Sequence, residues 1–256
     1  AEQAEKARTR FIFEELICLQ LKMLQQRRQF LEKGGTARHR INGPFLKQLG
    51  QSLPFNLTAA QERVIAEILQ DMASPHPMLR LVQGDVGCGK TLVALHAIVA
   101  AADGGYQTAF MAPTEILAEQ HALTLRSILA PMGIEVGLLT GTTRNNKILR
   151  RDLAEGKITV VVGTHALVQN STLFHRLGLV IIDEQHRFGV VQRTLLAEKG
   201  PKPDVLQLSA TPIPRTLALT LYGDMDLSII DELPPGRLPV KTRRIPPAKL
   251  PDLYQY

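Results

Sequence analysis

The chain has 256 residues, of which 45% are hydrophobic and 21% charged, a globular balance that excludes wholesale disorder. No stretch approaches the roughly 18 apolar residues of a membrane span, and the charged start AEQAEKARTR lacks the apolar core of a secretory signal. Two cysteines, Cys18 and Cys88, are too few for a disulfide framework or a zinc site, so a reducing, cytosolic setting without a membrane is expected. The net charge of +6 divides into +5 over residues 1–55, −3 over 56–236 and +4 over 237–256. Basic flanks suit a polyanion, although a solvated surface explains them equally well. Aromatic residues make up only 5% and Trp is absent, which argues against a base-stacking platform and for contact along a nucleic-acid backbone.

Phe13, Ile17, Leu21 and Leu24, with a second row of Ile12, Leu16, Leu19 and Met23, predict a helix over 1–33 buried against more than one neighbour. Gly34 and Gly35 end it, and Gly43, Pro44 and Gly50 make the stretch to Pro54 a linker with a short helical piece. From Thr58 helices and apolar strands alternate: helix 58–73, strand 79–83, helix 90–102, strand 107–112, helix 114–130 and strand 134–139. Helix 144–155, strands 158–163 and 178–183, helix 190–199 and strand 204–209 follow, and prolines crowd the tail 234–251. This order predicts an α/β fold with a mostly parallel sheet flanked by helices, its ligand at the strands' C-terminal edge.

Gly84-Asp85-Val86-Gly87-Cys88-Gly89-Lys90-Thr91 fits G-x-x-x-x-G-K-[ST] in full, between a predicted strand and a predicted helix. Its glycines let backbone N–H groups turn inward around phosphate, Lys90 reaches the β- and γ-phosphates, and the Thr91 hydroxyl ligates Mg²⁺. Cys88 is taken as a small filler within this loop. The apolar strand before Asp183 and Glu184 offers a carboxylate for Mg²⁺ in Asp183 and a base for the attacking water in Glu184. Ser209-Ala210-Thr211-Pro212 ends another apolar strand, where its hydroxyls are placed to bond His186 or Glu184 and sense the γ-phosphate. On its own that triplet is more often a simple turn or a helix cap. Gln61 stands at the third helical position after Thr58, as in a capping box, and is also placed to read an adenine edge with Phe55 packed on the base; both roles stay open.

Taken together, LTAAQERVIAEI (57–68), QGDVGCGKT (83–91), APTEILAEQH (112–121), LLTGTTR (138–144), VVGTHALV (161–168), LVIIDEQHRFGVVQR (179–193), SATPIPRT (209–216) and DLSIIDELPPGR (226–237) resemble superfamily 2 helicases of the RecG type. The transcription–repair coupling factors share much of this pattern, but DEQH and IDELPPGR look more like the RecG type. The resemblance implies a RecA-like P-loop domain over 56–235, preceded by a helical connector over 1–55 and followed by a linker, or the start of a second motor domain, over 236–256. It implies an ATP- and Mg²⁺-dependent motor half that remodels forked or branched DNA in repair and recombination, monomeric, in the bacterial cytosol or nucleoid. Lys90, Asp183, Glu184 and His186 are then catalytic, and Gln185, His186, Ser209 and Thr211 couple nucleotide to movement. Pro113, Thr114, Thr140, Gly141, Gly163, Thr164 and His165 are expected to touch DNA, and Gln61 the adenine. The usual partners of such a half are a second RecA-like domain bearing arginine fingers and an N-terminal DNA-wedge domain, so the chain alone is expected to be nearly inactive. The alternatives are the motor domain of a transcription–repair coupling factor and a non-catalytic nucleotide- or DNA-binding module.

Overall fold

In the computed structural model the described residues are 2–32, 39–142, 146–183, 196, 199–200, 202–211 and 225–234. The long N-terminal helix is α1 (Glu2–Glu32), and α2 (Pro44–Ser52) and α3 (Ala59–Met72) follow. Seven strands then alternate with helices: β1 (Leu79–Gly84), α4 (Lys90–Asp103), β2 (Gln107–Met111), α5 (Glu115–Leu129), β3 (Val136–Leu139), α6 (Asn146–Ala154), β4 (Val160–Gly163), β5 (Leu177–Ile182), β6 (Asp204–Ser209) and β7 (Asp226–Ile230). They form one sheet in the order β3-β4-β2-β5-β6-β1-β7, and every neighbouring pair is parallel.

Apart from the edge strand β7, both faces of this sheet are buried, which is why its strands read as nearly unbroken apolar runs. Residues alternate between two cores. Phe110, Val160, Val162, Leu179, Ile181, Leu206 and Leu208 face α2, α3, α4 and α5, while Ala109, Met111, Val161, Val180, Ile182 and Val205 face the side that holds Leu153 of α6. The α4 helix is buried without a break from Val93 to Ala101, because it lies between the sheet and its neighbouring helices.

The strand 226–230 was absent from the sequence expectations: DLSII is short, and only its pairing with β1 makes it a strand. The neighbours expected along the N-terminal helix are not found among the described residues. Ile12, Phe13, Leu16, Ile17, Leu21 and Leu24 are all exposed on α1, since no described element packs closely along them. The second connector helix behaves differently. Leu49 of α2 is fully buried in the main core, and the Asp103 carboxylate at the end of α4 accepts from the N–H groups of Phe45 and Leu46, both at 3.0 Å. A carboxylate from elsewhere in the chain thus caps α2, whose own N-cap, Gly43, has no side chain for the task. Beside it His39 Nε2 lies 3.0 Å from Asp204 Oδ2, both side chains buried, and burial raises the Asp204 carboxyl while His39 pulls it down. No helix among the described residues is long and apolar enough to cross a membrane.

Candidate active site

The phosphate loop leaves the C-terminal end of β1. Gly87 and Gly89 take left-handed φ values of 82° and 91°, and a Cβ on Gly89 would collide with the side-chain nitrogen of Gln61. Gly89 is the N-cap of α4, so Lys90 and Thr91 begin that helix and its first N–H groups open toward the loop. The Lys90 ammonium is held by the carbonyls of Gly84 at 2.6 Å and Asp85 at 3.0 Å. Cys88 is buried, with its N–H bonded to the Asp85 carbonyl at 3.1 Å. Burial raises its thiol against the opposing pull of Lys90, and its sulfur packs where a Cβ on Gly84 would stand. Val86, at the tip, is exposed.

Gln61 sits behind the loop and is 2% exposed. Its Oε1 accepts from the Thr58 N–H at 2.9 Å and its Nε2 donates to the Cys88 carbonyl at 2.8 Å, while its own N–H bonds the Thr58 hydroxyl at 3.2 Å. The capping box is therefore present. A carboxamide has two N–H donors and two acceptor lone pairs, so one of each remains. That pair matches the N6 amino group and N7 of adenine. Gln61, Phe55, Asn56, Gly89, Thr91, Leu92 and Pro234 line a mainly apolar cavity of about 570 Å³ that continues to Leu95 and to Thr124, Leu125 and Ile128 of α5. Glu232 closes the same corner by accepting from the Ala60 N–H at 3.1 Å.

Asp183 is the first residue after β5, one position beyond the strand's end. Its N–H bonds the Met111 carbonyl at 2.9 Å, and its Oδ2 accepts from His121 Nε2, also at 2.9 Å. In the strand order β5-β6-β1, β5 and β1 stand two spacings apart, about 10 Å, with β6 between them. Ser209 ends β6, so it and Thr211 lie between the phosphate loop and Asp183. The two hydroxyls are 2.9 Å apart, and the Gln83 side chain ties the Thr211 carbonyl to β1 at 3.1 Å. Thr91 and Asp183 supply only oxygen donors, the set that a hard divalent cation takes.

The segments expected to touch DNA all leave the opposite half of the same edge, from β2, β4 and β3. Thr114 caps α5, its hydroxyl accepting from the Leu117 N–H at 3.3 Å, and Pro113 precedes it. Thr140 and Thr164 are buried. A Cβ on Gly163 would run into the Leu139 carbonyl, so close strand approach alone requires that glycine. His165 opens a 3-10 turn over His165–Leu167. The Gly141 N–H and the Thr142 hydroxyl are engaged by Glu115, at 2.9 and 2.7 Å, and these bonds draw the Glu115 carboxyl below its ordinary range. Sequence reasoning missed Glu115 and His121, whose partners lie 26 and 62 residues away. Glu184, Gln185 and His186 lie outside the described residues.

The family model of the DEAD/DEAH box helicases matches residues 58–220. The chain belongs to this family. Along nearly its whole length this helicase domain is similar to proteins named ATP-dependent DNA helicase RecG. The relative from Synechocystis is 52% identical, with 99% of this chain and 31% of the relative covered; that from Escherichia coli K12 is 50% identical, with 96% and 36% covered. The chain thus spans about a third of the length of the curated relatives it matches. A solved structure of RecG bound to a three-way DNA junction superposes with a TM-score of 0.87 at 46% identity, covering 98% of this chain and 34% of that one. The DNA-bound helicase MrfA gives a TM-score of 0.57 at 19% identity over 78% of this chain and 31% of that one, a likeness of fold alone.

Proposed function

We propose that this domain is the ATP-binding half of a DNA motor that remodels forked or branched DNA, serving repair and recombination in the manner of the RecG helicases it resembles. The observation that supports this most directly is the shared sheet edge. The phosphate loop on β1, the Ser209–Thr211 segment on β6 and Asp183 after β5 stand side by side, and the strand-contact segments continue along the same edge.

In this reading the residues divide the work among themselves. Backbone N–H groups from Gly87 to Thr91 enclose the phosphates, and Lys90 exchanges its two loop carbonyls for phosphate oxygens. Gln61 offers its remaining donor and acceptor to adenine, and Phe55 covers the base. Thr91 and Asp183 are the residues that would hold Mg²⁺, which when bound neutralises charge on the phosphate oxygens. Glu184 accepts the proton of the attacking water, and Gln185 and His186 link that end to Ser209 and Thr211. The segments at 113–114, 140–141 and 163–165 meet DNA phosphates, a sequence-blind contact suited to translocation. Arginine fingers, worth roughly 10³–10⁵ in rate, come in this scheme from a second RecA-like domain, so the chain by itself binds ATP but turns it over slowly.

Steady-state ATP turnover with and without forked DNA, beside a nucleotide-binding titration of the chain and of Lys90→Ala, tests this reading. Binding that needs Lys90, with little turnover, is expected. Nucleotide affinity indifferent to Lys90→Ala would overturn it.

A further inference from the structure

Besides the bond from Arg126 to the Val136 carbonyl of β3 at 2.9 Å, two side chains of α5 tie it to the C-terminal edge of the sheet. At its first residue, Glu115 accepts from the Gly141 N–H and the Thr142 hydroxyl. Six residues on, about 9 Å along the axis, the His121 Nε2–H donates to Oδ2 of Asp183 at 2.9 Å. The side chains of His121 and Asp183 are only 14% and 13% exposed. The His121 ring also lies 4.6 Å from the ring of fully buried Phe110, so packing and hydrogen bonding fix it together.

Asp183 stands where the two halves of the sheet edge meet. On one side β2, β4 and β3 carry the strand-contact segments, and on the other β6 and β1 carry Ser209 and the phosphate loop. A carboxylate turns easily about its terminal torsion unless one oxygen is engaged. With Oδ2 held by His121, the plane of the Asp183 carboxylate is set before any cation arrives. Donors behind a metal-binding carboxylate raise metal affinity by this means, and their removal typically costs 10- to 100-fold.

We propose that His121 is a positioning residue for Asp183, and that α5 ties the carboxylate on the metal side to the strand-contact turn at 140–142. The proposal deepens the function above and rests on Asp183 holding Mg²⁺. A shift of the 140–142 turn moves Glu115, and with it the helix that orients Asp183. DNA on that edge then alters Mg²⁺ affinity through one rigid element rather than through space.

The test titrates Mg²⁺ against binding of a fluorescent ATP analogue by the chain, with and without forked DNA. His121→Phe keeps a ring against Phe110 and removes the donor. It should leave metal-free nucleotide binding unchanged, raise the Mg²⁺ midpoint at least tenfold and abolish the shift that DNA causes in the wild type. His121→Gln, whose amide N–H can reach Oδ2, should restore most of the midpoint. An unchanged midpoint in His121→Phe overturns the positioning role, as does a His121→Gln no better than His121→Phe. A DNA-induced shift that is missing from the wild type, or that persists in His121→Phe, overturns the coupling through α5. Should His121→Phe not fold, His121→Ala is held to the same outcomes. Nucleotide binding indifferent to Lys90→Ala sinks the proposed function itself, whereas Lys90-dependent binding with no His121 effect sinks only this inference.

Discussion

Gln61 bears two separable duties, and replacing it distinguishes them. Gln61→Ala removes two side-chain hydrogen bonds, one from the Thr58 N–H and one to the Cys88 carbonyl, while its backbone bond to the Thr58 hydroxyl survives. At about 1 kcal/mol for each bond the domain should lose about 2 kcal/mol of stability. Thr58→Ala is the control: it deletes only the hydroxyl that caps the Gln61 N–H, costs about 1 kcal/mol and leaves the amide in place. If the remaining donor and acceptor read adenine, Gln61→Ala also loses about 1–3 kcal/mol of base discrimination. Preference for ATP over GTP should then fall by roughly 5- to 150-fold, while Thr58→Ala keeps it. Urea denaturation measures the first quantity, and displacement of a fluorescent nucleotide by ATP and GTP the second. A Gln61→Ala protein that is destabilised yet still prefers ATP would refute base reading and leave Gln61 a cap alone.

Asp103→Ala strips two N–H groups of α2 of their carboxylate and should cost about 2–3 kcal/mol in urea denaturation, with α2 becoming the first helix to lose amide protection in hydrogen exchange. Phe110→Ala empties a fully buried site in the larger core and should lower stability by about 3–5 kcal/mol, read by the same denaturation. His96 is buried on α4, its ring bonded to the Leu92 carbonyl, and burial lowers its pKa below the ordinary 6.5. The unfolded chain therefore takes up a proton that the folded one refuses, so this contribution to stability is full above pH 6.5 and drains away as pH falls. Stability measured from pH 7.5 down to 5.5 should decline less steeply in His96→Leu than in the wild type, and equal slopes would discard His96 as the cause.

The parallel α/β fold was legible in the sequence because burial on both faces writes most of its strands as dense apolar runs, and glycine and lysine mark the turn after β1. Boundaries held within about two residues wherever such a run met a turn residue, as at Asp204–Ser209. The strand β7 escaped notice because DLSII lacks a run of that kind, and its pairing with β1 is a long-range fact. The apolar rows of α1 showed a helix but not its neighbours; periodicity reports a face and says nothing of what covers it. At the site, contiguous motifs stood out while contacts between them did not. His121 on Asp183, Glu115 on the 140–142 turn and Glu232 on α3 are each an ordinary polar residue until the fold brings the partner near.

The position of β1 in the sheet sets a timetable. Its two hydrogen-bonding neighbours, β6 and β7, both come late in the chain, and β6 begins about 120 residues after β1 ends. A ribosome adding about 5–20 residues per second needs roughly 6–24 s to cover that distance. Through that interval Leu81 and Val82 have no sheet to join and both edges of the strand are open to foreign partners. The phosphate loop, the most recognisable stretch of the chain, is therefore among the last to gain a rigid frame, which waits until synthesis has passed Ser209.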